Sequence, residues 1–138
     1  MKRLFLDTNF ILDYLEREEY KVSSQQFLED LVRQNYKCFV SYLSVANFAY
    51  IERKKPREIL MNYLKTIIEL FEIVPNNKKQ IQDAIEVEGP DFEDILQYQA
   101  ALSSKCDFII TRNEKHFAFS NIPVFSPDSF REKYLDSK

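Results

Sequence analysis

Along the chain the apolar residues change period several times, and each change marks an element. Arg3 to Leu6 is a short apolar run that stops at Asp7, the pattern of a buried strand. From Thr8 the spacing turns helical, with Phe10, Ile11, Tyr14 and Leu15 on one side. A second helix is predicted over Ser23 to Gln34, carrying Phe27, Leu28, Leu31 and Val32, and a strand over Cys38 to Ser41. Helical spacing returns from Leu43 to about Lys54, breaks near Pro56 and resumes from Arg57 to Phe71. The face of that last helix (Ile59, Leu60, Tyr63, Leu64, Ile67, Ile68) is wider than one core contact requires, which predicts a homodimer. Glu72 to Val74 reads as a strand, and Lys78 to Val87 as a helix ended by Gly89 and Pro90. Asp91 is placed to cap a helix from Phe92 to Ser104 with Ile95, Tyr98, Ala101 and Leu102 near one side. The run FII within Asp107 to Thr111 suits a strand buried on both faces, and Pro123 to Phe125 suits a last short strand. Ser126 and Pro127 then start a terminal helix reaching about Leu135.

Strands that alternate with helices need crossover connections, so the pattern predicts an α/β fold: a short, mainly parallel sheet with helices on both faces. Prolines at 56, 75, 90, 123 and 127 punctuate elements within one domain spanning 1–138. With 45% hydrophobic and 30% charged residues, a core can form without disulfides or structural metal. Cys38 and Cys106 sit beside β-like runs and read as buried, reduced thiols. Acidic and amide residues interrupt the apolar run of MKRLFLDTNFILDYLERE before a leader or membrane span develops, so a cytoplasmic protein with no membrane partner is expected.

Composition also removes whole classes of chemistry. One glycine, Gly89, cannot build a phosphate-cradling loop, which needs several at fixed offsets. One histidine, His116, excludes paired-histidine zinc sites, and its setting in TRNEKHF reads as a solvated loop. A net charge of −3 argues against binding nucleic acid through a basic surface, yet not against an acidic pocket that meets phosphate through a divalent ion.

In open parallel sheets the functional edge lies beyond the carboxyl ends of the strands. Asp7, Thr8 and Asn9 follow the first strand, and Thr111, Arg112 and Asn113 follow the FII strand. Asp91 and Asp94, three residues apart, share a helical side, where Asp94 borders the apolar face and an unpaired carboxylate is costly without a cation. Glu93 is accounted for by the helix dipole alone. Asn47, between Leu43 and Ile51, falls on an apparently buried face and serves either a site or a structural tie.

The strings LDTNFILDYL, SYLSVANFAY, DFEDILQYQAA, DFIITRNEKHF and IPVFSP, in this order and spacing, resemble a PIN domain, the fold of VapC-type toxin ribonucleases, in the branch whose third block reads D-x-E-D. The resemblance implies a three-layer PIN-like fold and a magnesium- or manganese-dependent endoribonuclease of a toxin–antitoxin pair, with RNA as substrate and an antitoxin protein as partner. It maps the family's four acidic positions onto Asp7, Asn47, Asp94 and Asn113 as the catalytic set, with Asp91 as a further metal-binding acid. Asn9, Thr8, Thr111 and Arg112 would orient ligands or phosphate, Arg112 as a forked donor. Because two of the four positions are amides, the alternative is a catalytically weak or degenerate PIN domain acting as an RNA-binding or assembly module. A haloacid-dehalogenase-type phosphatase also sets an aspartate after its first strand, but wants a second acid two residues later, where this chain has Asn9.

Overall fold

Alternation along the first strand fixes two faces. Leu4 and Leu6 join one core and Phe5 the other, all three without solvent exposure. In the computed structural model, which describes residues 1–135, this strand, β1 (Lys2–Leu6), lies at the centre of a five-stranded sheet. The others are β2 (Tyr36–Ser41), β3 (Glu72–Val74), β4 (Phe108–Ile110) and β5 (Val124–Phe125). Their order is β3-β2-β1-β4-β5, and every neighbouring pair is parallel. The chain thus winds outward from β1 in one direction, then returns to β1's other side for β4. Leu4 pairs with Cys38 on one flank and Phe108 on the other, and the crevice between β1 and β4 is the point where strand order reverses.

Helices cover both faces. The larger core takes Leu4, Leu6, Val40 and Ile110 from the sheet and packs them against α1 (Thr8–Leu15), α2 (Glu18–Arg33), α3 (Tyr42–Ile51), α4 (Arg57–Leu70) and α7 (Pro127–Phe130). The smaller takes Phe5, Phe39 and Ile109 against α6 (Phe92–Ser103), whose Ala100 and Ala101 allow close approach. α5 (Lys78–Ile85) docks on α6 through Ala84, Ile95 and Leu96. This is the expected three-layer α/β arrangement.

Several boundaries move. α2 begins at Glu18 rather than Ser23, with Glu18 and Glu19 complementing the dipole in its first turn and Tyr20 packed by a tertiary partner, the Arg112 guanidinium 4.0 Å from its ring, instead of by an apolar repeat. α3 and α5 stop at Ile51 and Ile85, and β4 excludes Asp107 and Thr111. Asp107 is nonetheless tied to β1, its carboxylate accepting from the Arg3 amide at 2.9 Å. Asp91 occupies the N-cap position of α6, but its side chain makes no capping bond. The terminal helix starts at the Ser126–Ser129 capping box with Pro127 at its first turn, then widens to π-type turns over Arg131–Leu135. Both cysteines are buried and free, and burial pushes their thiols up, Cys38 to about 12 and Cys106 to about 11, leaving them unreactive near neutral pH.

Phe130 closes the larger core. Fully buried, it meets Phe27, Tyr36, Phe108, Phe125 and Tyr134 with ring centroids 4.9–6.3 Å apart, while the adjacent Arg131 reaches Asp30 on α2 at 2.8 Å. Phe130→Ala is expected to cost about 3–5 kcal/mol in urea unfolding. A loss below about 1 kcal/mol would mean that the C-terminal segment does not help to hold the sheet.

Candidate active site

Asp7 is the first residue beyond β1 and the N-cap of α1, a position that forces its side chain back over the sheet edge. Only 9% exposed, it uses both oxygens: Oδ1 accepts from the Phe10 amide at 3.1 Å and Oδ2 from the Thr111 hydroxyl at 2.6 Å. Thr111 Oγ1 in turn accepts from the Asn113 amide at 3.1 Å, so its proton is directed at Asp7. Burial raises the Asp7 pKa above the ordinary carboxylate value. The Thr111 and Phe10 hydrogen bonds pull it back, and smaller effects of Asp13 and Arg112 oppose each other.

Asp94, at the third position of α6, is partly buried and also raised, first by burial, with the charges of Asp91, Glu93 and Asp7 adding to the effect and His116 opposing it. His116 Nδ1 stands 3.8 Å from Asp94 Oδ2. These two residues line a cleft of about 520 Å³ with Gly89, Pro90, Asp91, Lys115 and Phe119. Gly89, at φ +105°, supplies the turn that leads into Asp91.

Beneath the edge, Ser44 joins the elements that carry the two aspartates. Its Oγ lies 2.8 Å from Thr8 Oγ1 on α1 and 3.2 Å from Ser41 Oγ at the end of β2, and accepts from Gln97 Nε2 on α6 at 2.9 Å. Gln97 is 2% exposed, and its Oε1 has no protein partner among the described residues.

Not every residue singled out in the sequence stands as expected. Asn47 is half-buried rather than buried, and its Nδ2 donates to Glu93 Oε2 at 2.9 Å. Glu93 therefore does more than complement the helix dipole. Arg112 does not present a free fork. Its Nε and Nη2 are spent on the Asp13 carboxylate at 2.9 and 3.1 Å, while its plane stacks on Tyr20. Asn9 accepts from Arg17 at 3.1 Å, and Arg17 also bonds Asp13, so Asn9 belongs to that network. Asn113 is exposed, its backbone amide donating to Thr111 Oγ1 at 3.1 Å and its carbonyl accepting from the His116 amide at 3.0 Å. Asp91 is exposed at the rim of the cleft. His116 is solvated, its side chain 60% exposed, but it sits in a 3₁₀ turn (Glu114–Phe117) beside Asp94 rather than in an unrelated loop.

A family model for the PIN domain matches residues 3–115. The chain belongs to the PIN-domain family. It is similar to Ribonuclease VapC1 of Aquifex aeolicus (strain VF5), 28% identical in an alignment that covers 96% of each chain. Its fold matches that of a chain in the crystal structure of VapBC2 from Rickettsia felis bound to a DNA fragment from their promoter, with TM-score 0.68 and 18% identity over 90% of this chain and 97% of that one. It also matches PAE2754 from Pyrobaculum aerophilum, with TM-score 0.63 and 12% identity over 95% and 94% of the two chains. At these identities the solved structures bear on the fold alone.

Within this PIN domain, sequence reasoning missed Asp13, Glu93, Ser44, Gln97 and the placement of His116. Only Asp13 left a trace, an acid six residues after Asp7 on the inner side of α1; the other contacts join elements far apart in the chain.

Two predictions follow from this geometry. Burial keeps the Asp7 and Asp94 carboxyls protonated to higher pH in the folded than in the unfolded chain. Their contribution to stability is therefore full below the unfolded value of 3.8 and is lost as pH rises through the folded value. Asp7→Asn should thus melt above wild type at pH 7 in EDTA, with the difference closing as pH falls to about 4; a difference independent of pH would place its origin elsewhere. Arg112→Ala should cost about 2–3 kcal/mol in urea, because the buried Asp13 keeps only Arg17. A neutral result would return Arg112 to the role of a substrate-facing donor.

Proposed function

We propose that this PIN domain is a metal-dependent endoribonuclease, the toxin of a toxin–antitoxin pair, hydrolysing RNA phosphodiester bonds at the Asp7–Asp94 edge. The observation that carries this reading is that two buried or half-buried acids, distant in sequence, act on each other electrostatically, Asp7 at the end of the central strand and Asp94 in the first turn of α6. Each is raised by desolvation, and neither has an arginine or lysine bonded to it among the described residues. Carboxylates kept in that condition fit a cation better than they fit the bare protein.

The donor set suits magnesium or manganese. These hard ions take carboxylate oxygens, keep several waters, and are commonly held by only one or two protein carboxylates. Asp7 and Asp94 would hold the ion, with Asp91 at the rim as a further acid. When bound, it would supply Lewis acidity to the phosphodiester and its attacking water. Thr111 and the Phe10 amide each fix one Asp7 oxygen, with Thr8 tying α1 to Ser44 behind them. Lys115, His116 and Phe119 give the cleft one lysine, one imidazole and one aromatic face for a nucleotide. The similarity to Ribonuclease VapC1 supports RNA as substrate, and the Rickettsia VapBC2 likeness is in keeping with an antitoxin partner. Tyr50, Ile51, Ile59 and Ile68, exposed along α3 and α4, are the surface we assign to a homodimer.

A second reading has its own observation: among the described residues no three His, Cys, Asp or Glu side chains are grouped to hold a metal. A weak or degenerate PIN domain that binds RNA without cutting it would look like this. Incubation of single-stranded RNA with the protein in Mn²⁺ or Mg²⁺ separates the two. Cleavage that EDTA stops and Asp94→Asn lowers at least about a hundredfold is the expected result. RNA retention without cleavage at saturating Mn²⁺ would establish the second reading instead.

A further inference from the structure

We infer that the cleft between α1, α2 and the start of α7 is a second ligand site, distinct from the Asp7–Asp94 edge, that takes a compact organic cation: a guanidinium or ammonium group with a short polar tail. The inference stands independently of the nuclease reading.

The cleft encloses about 380 Å³, within the size range of small-molecule sites. Ser24 on α2 lines it and is only 8% exposed, yet among the described residues its hydroxyl has no hydrogen-bond partner. The neighbouring Ser23 hydroxyl, by contrast, is spent on the Tyr20 carbonyl at 3.1 Å. Buried hydroxyls are ordinarily paired, so the Ser24 hydroxyl marks a place for a group that the protein itself does not supply. Helix formation does not call for it either, since alanine suits a helix better and strands no polar atom.

The charge of the lining selects the ligand. Arg112 is held by Asp13 at 2.9 and 3.1 Å, and Arg131 by Asp30 at 2.8 Å, so both guanidiniums are offset where they stand. Glu19 and Asp128 come to the same cleft from α2 and α7, are exposed, and have no cation bonded to them among the described residues. Complementing a helix dipole explains an acid in a first turn, but not the stranded hydroxyl beside it. An anion would meet two unpaired carboxylates here, whereas a cation meets two acceptors. The Tyr20 ring, stacked on the Arg112 guanidinium, gives an aliphatic stem an apolar wall on the way to Ser24. Asp13 and Arg112 also line a chamber of about 10 Å³ beside Asp7, so an occupant of the cleft rests against the ion pair that ties α1 to the segment after β4.

The test is titration calorimetry of the full chain with two guanidinium probes, agmatine and N-acetyl-argininamide, and with N-acetyl-citrullinamide, which keeps the shape of the second and lacks its charge. Both guanidinium probes should bind, and the citrulline analogue at least about tenfold more weakly than its charged counterpart. Glu19→Gln and Asp128→Asn should each raise the Kd of the charged probes about tenfold, and Ser24→Ala about fivefold. Melts without ligand should stay close to wild type, since none of the three changes removes a side-chain contact among the described residues. Tighter binding of agmatine supports a free small molecule as the occupant, and tighter binding of N-acetyl-argininamide an arginine side chain of another chain. Equal binding of charged and neutral probes, or no binding of either guanidinium, overturns the inference and leaves ordered water as the partner of Ser24. Binding that Asp94→Asn abolishes and Glu19→Gln leaves unchanged overturns it as well, by placing the cation at the Asp7–Asp94 edge.

Discussion

Asp7 must sit where water is scarce, and most of the functional edge is arranged around that constraint. It follows Leu4, Phe5 and Leu6, all without exposure, in the central strand, so the backbone leaves the core only after its carboxylate has been placed. Removing a carboxylate from water without compensation is costly, on the order of several kcal/mol. Two neutral donors, the Phe10 amide and the Thr111 hydroxyl, recover part of this, and the raised pKa records what they leave unrecovered. Neutral donors orient a carboxylate without cancelling its charge. On the proposed metal-dependent reading such a carboxylate would keep its attraction for a cation, which a direct arginine pair would quench.

The arginines at this edge are directed one layer away. Asp13, 3% exposed on α1, receives the fork of Arg112 and one nitrogen of Arg17, and Arg17 also holds Asn9. This network joins α1 to the segment after β4, the two pieces of chain that must meet for Thr111 to reach Asp7. Asp13 thus acts as an internal counterion that gathers positive charge away from Asp7, and Arg112 has only a minor lowering effect on the Asp7 carboxyl. Two kinds of contact are kept apart: ion pairs to Asp13 lock the frame, and hydrogen bonds from neutral groups hold the Asp7 carboxyl.

Much of the fold was legible because its signals are local. Short apolar runs marked the strands, period-3.6 runs and the Ser126-Pro127 start marked the α-helices, and their order implied the parallel sheet, while the 3₁₀ turn Glu114–Phe117 had read as a loop. Boundaries failed where a tertiary partner replaced the repeat, as Tyr20 did on Arg112. Asp7, Thr111 and Asp94 could be singled out because strand ends and a helix start are visible in sequence. Arg112 was misjudged because a guanidinium after a strand looks the same whether it faces substrate or Asp13. Asn47 looked buried because its neighbours at four-residue spacing are apolar, although Ile51 is itself half exposed. Contacts between residues 46 or 99 positions apart, Asn47 with Glu93 and Asp13 with Arg112, have no signature in a single chain.

The same asymmetry bears on how acidic residues should be counted in a site of this kind. A carboxylate contributes through the position of its oxygens, and a glutamate side chain on one helix can occupy space that faces a neighbouring helix. Position 47 and position 93 lie on different elements, yet the Asn47 amide and the Glu93 carboxylate meet at hydrogen-bonding distance. Position-by-position reading of the chain finds an amide at 47 and a helix-start acid at 93, with nothing to join them. The folded chain makes them a donor and its acceptor across α3 and α6. What the fold constrains at this edge is the frame: α1, α3 and α6 are joined through Ser44, so the helices next to Asp7, Asn47 and Asp94 are tied to one another beneath those side chains.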